Sequence, residues 1–105
     1  MFTDVKSVAI AEIPTTLGAV YTVPAGANNR AQLTQGEIHN TGSLAADVTV
    51  FHNNGSDVQR YAVTLQANDS LVLFTLLQLN AGHSLKAVAS AEGVNIFIDG
   101  REFIE

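Results

Sequence analysis

The chain has 105 residues, enough for one domain with a single hydrophobic core. It has no cysteine, which excludes both disulfides and thiolate metal sites as reinforcement of that core. Ten acidic residues outnumber five isolated basic ones and give a net charge of −5. This balance argues against nucleic-acid binding, which depends on clustered Lys and Arg.

The composition also bears on membranes and partners. No apolar run approaches the roughly 20 residues that a membrane-spanning helix needs, and the first residues lack a signal-peptide pattern. We therefore expect neither membrane insertion nor export by the general secretory route. Charged residues make up only 14% of the chain, against about a quarter in ordinary domains. Such a surface is expected to be covered in part by partners or by copies of the chain itself.

The first element in chain order is a strand at about residues 5–12, where small, apolar and charged residues alternate loosely. A helix is the less attractive alternative, because the segment has no leucine. We divide the chain into two parts at the break before Pro14. Residues 1–13 form an N-terminal strand or an arm that reaches a neighbouring subunit, and residues 14–105 form the β-sandwich domain.

Two further strands are predicted at residues 19–23 and 30–40. The first ends at Pro24, because proline has no amide hydrogen to donate to a neighbouring strand. In the second, the apolar positions change from odd to even numbers along the strand. A one-residue slip turns every later side chain to the opposite face, so we expect a β-bulge near Gly36.

Residues 40–65 give the clearest signal, which is that of a β-hairpin. Val48 and Val50 share one face of its first strand, and Asn54-Gly55 favours the positive φ of a hairpin turn. Three apolar residues of the second strand share a face and are expected to join the core: Tyr61, Val63 and Leu65.

Three more strands are predicted at residues 70–77, 84–90 and 94–98. The first is apolar at both parities, which indicates a strand buried on both faces or packed in a subunit interface. Asp99-Gly100-Arg101 precedes a C-terminal tail that consists of Glu102, Phe103, Ile104 and Glu105. With about eight short strands and regularly spaced turns, the sequence predicts an all-β fold: a single antiparallel β-sandwich, jelly-roll or Ig-like.

The chemically reactive side chains form no catalytic or metal-binding pattern. The three histidines, His39, His52 and His83, lie in separate segments, and a metal site would need them to converge with carboxylates such as Asp57 or Asp69. No nucleophile elbow, P-loop or dinucleotide fingerprint occurs. We therefore predict no catalytic residue, no cofactor and no metal, and a protein that is not an enzyme.

Two aromatic residues, Phe51 and Phe97, have parity opposite to that of the aliphatic residues in their strands. Core burial in a second layer is the default expectation for both. Their parity also allows them to face a partner.

Four segments, taken in order, resemble small β-sandwich virion proteins of tailed bacteriophages. These segments are Val20–Gly26, Ile38–Thr41 followed by Val48–Val50, Leu79–Leu85 and Val94–Gly100. The resemblance implies a non-enzymatic capsid decoration (cement) protein that bridges major capsid subunits. It also implies a homotrimer on the capsid surface of the virion, assembled in the host cytoplasm.

Two alternatives stay open beside the decoration role. One is a tail or head–tail connector component. The other is a carbohydrate-binding module, which the absence of Trp and the presence of only two Tyr disfavour. For assembly, apolar residues near the termini and aromatic residues of odd parity are the candidate contacts: Val5, Val8, Ile10, Phe51, Phe97, Phe103 and Ile104.

Overall fold

The computed structural model describes residues 6–104, which form nine β-strands and no helix. None of these residues therefore belongs to a helix that could cross a membrane. In chain order the strands are β1 (Lys6–Glu12), β2 (Gly18–Thr22), β3 (Arg30–Asn40), β4 (Ala46–Asn53), β5 (Asp57–Leu65), β6 (Ser70–Phe74), β7 (Leu77–Asn80), β8 (Ser84–Ala89) and β9 (Val94–Phe103).

The strands form two antiparallel sheets around one core. The five-stranded sheet has the order β1-β9-β3-β6, and β7 also pairs with β3, beyond the end of β6. The four-stranded sheet has the order β2-β8-β4-β5. The prediction of an all-β antiparallel sandwich is confirmed.

The core lies between the sheets and uses the inward positions of both. Val48 and Val50 of β4 are fully buried together with Leu65 of β5, and Tyr61 and Val63 pack half-buried against them. The predicted face of the hairpin is thus confirmed. Such apolar burial stabilises the fold by roughly 25 cal/mol per Å².

β3 contains the bulge that its change of parity requires. In the pairing with β9, Thr34 is the extra residue between Leu33 and Gln35, so the bulge lies two residues before Gly36. Gly36 serves a different purpose, since a Cβ there would collide with the ring of Phe74. The absence of a side chain at Gly36 lets that ring enter the core from β6.

Two predicted strand boundaries are wrong. Residues 70–77 split into β6 and β7 at Thr75 and Leu76, because the 11-residue β3 takes both short strands as successive partners along one edge. β9 does not end at Ile98 but continues to Phe103. Gly100 does not make a turn; it lets β9 approach the backbone of β3 closely.

β6 is an edge strand, and its apolar residues are only partly covered. Leu71 is 40% exposed and Val72 is 46% exposed. The expectation of a strand buried on both faces is therefore wrong for a single chain, because nothing within the described residues covers the outer side of this edge. Its alternative, burial in a subunit interface, stays a prediction.

Candidate assembly surface

The outer face is the surface of the five-stranded sheet that points away from the core. Along β9 the side chains alternate strictly between the two surfaces, with Ile96 and Ile98 fully buried and Phe97 39% exposed between them. The expectation of core burial is therefore wrong for Phe97. The outward positions of β9 are Asn95, Phe97, Asp99, Arg101 and Phe103.

One row of residues crosses the outer face from edge to edge. Ile10 pairs with Phe97, Phe97 pairs with Glu37, and Glu37 pairs with Val72. Ile10 is 69% exposed and Val72 is 46% exposed. The row therefore presents three apolar side chains and one carboxylate to the surroundings.

The charges on the outer face are divided between its two ends. Glu12, Glu37 and Asp99 occupy the end that contains the apolar row. Arg101 and Arg30 occupy the other end, where Arg30 pairs with Phe103 and holds its guanidinium 4.4 Å from the centre of that ring. The face is thus acidic at one end and basic at the other.

The structure brings three of the seven predicted assembly contacts onto this face, namely Ile10, Phe97 and Phe103. Val8 and Ile104 are half-buried, with Val8 packed against the core cluster. Val5 lies outside the described residues. Whether any of these residues touches a partner stays a prediction.

Phe51, the remaining candidate, lies on the opposite surface of the molecule. It is half-buried on the outside of the four-stranded sheet and pairs with Lys86, so the default expectation of core burial is wrong for it as well. Lys86 Nζ lies 3.5 Å from Asp57 Oδ1. The same surface carries a shallow open depression of ≈ 210 Å³ beside β4 and β5, lined by Asp47, Val48, Thr49, Ala62, Val63 and Thr64.

Several further apolar residues are exposed that are not among the assembly contacts predicted from the sequence. Leu44 in the β3–β4 connection is 70% exposed, and Leu76 between β6 and β7 is 57% exposed. The signal for Leu76 was available, since residues 70–77 are apolar at both parities. Leu44 gives no such signal, because it stands alone in a turn.

Two of the three histidines come together at one end of the four-stranded sheet. His52 Nε2 lies 3.0 Å from His83 Nδ1, so one ring donates a hydrogen bond to the other. His39 lies on the outer face of the other sheet. Across residues 6–104, no three His, Asp or Glu side chains lie close enough to hold a metal ion together.

The histidine pair makes stability depend on pH. Burial lowers the pKa of His52 below its ordinary value, and the nearby charges of His83 and Arg60 lower this pKa further. The unfolded chain therefore takes up a proton at a higher pH than the folded chain does, and protonation favours unfolding.

We expect the free energy of unfolding to fall as the pH drops below about 6.5, the ordinary pKa of histidine. His52→Gln should remove the part of this stability loss that comes from protonation of His52, because glutamine does not titrate. Urea denaturation of the parent and the variant at neutral and mildly acidic pH measures the difference. An identical pH dependence in both proteins would contradict the assignment to His52.

No known protein family matches the sequence, and no curated protein matches it. Solved structures do share its fold. A chain of the acid-stable capsid of Helicobacter pylori bacteriophage KHP30 aligns with a TM-score of 0.62 at 12% identity, over 99% of this chain and 90% of that chain. A chain of the disulfide-linked pili of Bacillus endospore appendages aligns with a TM-score of 0.56 at 9% identity, over 97% and 87% of the two chains.

A third likeness is more limited. A chain of the Gt strain of infectious bursal disease virus aligns with a TM-score of 0.38 at 8% identity, over 94% of this chain but only 32% of that one. A TM-score this low carries no weight. At the identities of the first two, the likeness shows a shared fold and nothing finer.

Proposed function

We propose that this protein is a non-enzymatic structural component of a virion, and that it decorates the head of a tailed phage by bridging major capsid subunits. The observation that carries the proposal is the set of exposed apolar side chains along the β6 edge and the outer face, among them Leu71, Val72 and Phe97. The full-length likeness of the fold to a phage capsid chain supports it. The phage-like segments of the sequence support it independently.

The mechanism of such a protein is burial at subunit junctions. The molecule is a flat body of 43 × 28 × 17 Å, a shape suited to lying across a seam between larger subunits. A standard protein interface buries about 800 Å² on each partner, and each Å² of apolar area contributes roughly 25 cal/mol. Contacts to two neighbouring subunits would oppose their separation under internal pressure.

The partners in this proposal are the major capsid protein and further copies of the chain. The location is the capsid surface, reached by assembly in the host cytoplasm. The homotrimer stays a prediction that rests on the sequence resemblance alone.

A second candidate function is that of a subunit in a self-assembled fibre, which includes a phage tail component. The likeness to a pilus chain over nearly the whole length favours it. This chain has no cysteine, so such a fibre would have to be held by non-covalent contacts.

The composition of purified particles tests the proposal. If the protein decorates the head, quantitative mass spectrometry should find it in a copy number comparable to that of the major capsid protein. Enrichment in detached tails or in a head–tail connector would favour the second candidate. Absence from washed particles would overturn the virion role.

A further inference from the structure

We propose that two copies of this chain associate through their outer faces, about a two-fold axis that crosses the strands at Gly100. The inference rests on the proposed assembly role, because it names a partner for the same surface. A two-fold interface must be self-complementary, since the same patch contributes from both sides. The outer face meets this requirement along both of its central strands.

β9 is self-complementary about this axis. Its outward side chains on either side of Gly100 are, in order, Phe97, Asp99, Arg101 and Phe103. When this series is laid against its own reverse, each aromatic ring meets an aromatic ring and the carboxylate meets the guanidinium. Rotation about an axis between Asp99 and Arg101 sets each Asp99 opposite Arg101 of the second copy. The same rotation sets Phe97 opposite Phe103.

β3 is self-complementary about the same two-fold axis. Its outward residues on either side of the Thr34 bulge are Arg30, Gln32, Gln35 and Glu37. The rotation that matches β9 to its copy sets Glu37 opposite Arg30 and Gln35 opposite Gln32. The bulge is essential to this match, because without it Gln35 and Glu37 would point into the core.

The interface brings opposite charges together twice, as two Glu37–Arg30 pairs, and it also sets Asp99 opposite the half-buried Arg101, whose Nε is fully buried. An unrelated acidic or basic partner would be attracted by one end of the face and repelled by the other. A second copy is therefore the occupant that satisfies both ends. If the two copies instead stacked with their strands running in the same direction, like charges would face each other and oppose association.

Size and geometry also suit this pairing. Two sheets pack face to face at about 10 Å with strand directions within about 30° of each other. The broad side of the molecule measures 43 × 28 Å, enough for the roughly 800 Å² per partner of a standard interface. The outside of the four-stranded sheet and the exposed β6 edge stay available for a capsid.

A charge exchange between Glu37 and Arg30 tests the inference. Sedimentation velocity should show the parent chain as a dimer. Glu37→Arg and Arg30→Glu should each weaken association by about tenfold or more, because each change places like charges opposite each other twice. The double variant should restore it. The two residues lie at opposite ends of β3, so restoration cannot come from a contact within one chain.

Two lysine substitutions provide the matched control. Phe97→Lys places a charge opposite Phe103 of the second copy, within the proposed interface, and should give a monomer. Leu44→Lys changes an apolar residue that is 70% exposed but lies off the outer face, and it should leave the dimer intact. Urea denaturation of each variant separates loss of association from loss of folding.

A parent chain that stays monomeric up to its solubility limit would overturn the inference, as would a double variant that associates no more strongly than the single ones. A trimer would also overturn it and would instead match the homotrimer that the sequence resemblance implies. These outcomes are independent of particle composition. A dimer that is absent from virions would keep the inference and remove the virion role. A monomer found on virions would do the reverse.

Discussion

Replacing Gly100 with alanine should lower the free energy of unfolding by about 3 kcal/mol or more. The added Cβ would lie 2.6 Å from the carbonyl oxygen of Gln32 and 2.9 Å from the Cα of Leu33. Both atoms belong to the backbone of β3, so no side-chain rotation relieves the contact. The two central strands of the five-stranded sheet would have to separate where they pair.

Gly18→Ala is the matched control for this substitution. It also places a methyl group in a strand, but the nearest atom is Cγ of Pro14 at 3.3 Å, which can move slightly at the edge of the sheet. We expect a loss of less than about 1 kcal/mol. Urea denaturation measures both variants, and equal losses would contradict the role of Gly100 as a close-approach position.

Replacing Asn40 with aspartate should destabilise the fold by a similar amount, about 3 kcal/mol or more. Asn40 is fully buried, and its side-chain nitrogen donates to the carbonyl oxygens of Leu44 at 2.8 Å and Leu65 at 3.1 Å. A carboxylate has nearly the same shape but cannot donate. It would place a buried negative charge against two carbonyl oxygens.

The side-chain oxygen of Asn40 completes the connection. It accepts a hydrogen bond from the amide of Gly42 at 2.9 Å, so one side chain ties the start of the β3–β4 turn to the end of β5. Asparagine-to-aspartate exchange at Asn54 is the control, because its oxygen only accepts a bond, from Ser56 at 3.4 Å. Thermal denaturation should show a large loss for Asn40→Asp and almost none for Asn54→Asp. Comparable losses would contradict the donor role.

Much of this fold follows from the sequence because alternation with a period of two decides which side of a strand is buried. The central hairpin, its apolar face and the need for a bulge in β3 could all be predicted in this way. The turn at Asn54-Gly55 could also be predicted, and Gly55 adopts a φ of 112°. These features depend on residues that are close in the chain.

The other features of the fold depend on contacts between residues that are distant in the chain. Asp-Gly normally favours a turn, but Gly100 lies within a strand because β3 approaches it closely. Tyr21 donates a hydrogen bond to Glu102 at 2.6 Å across 81 residues, and burial together with this bond raises the pKa of Tyr21 above its ordinary range. No pattern among neighbouring residues in the sequence predicts either contact.

The candidate assembly surface could likewise be predicted only in part from the sequence. The parity of Phe97 indicated that it could face a partner, and Ile10 and Phe103 were singled out for their apolar character. Only the registers of β1, β3 and β9 show that all three residues share one face, and that the charges of this face are divided between its two ends. The periodicity within one strand does not determine which strands pair. The surface forms only because particular strands lie side by side.

Electron cryo-microscopy of purified particles is the most direct test of the central claim, that this protein is a structural component of a virion. We expect density for the nine-stranded sandwich on the outside of the head, repeated at junctions between major capsid subunits. Density confined to the tail or connector would keep the virion role but contradict decoration. Particles with no density for the sandwich, although the protein was present during assembly, would contradict the claim itself.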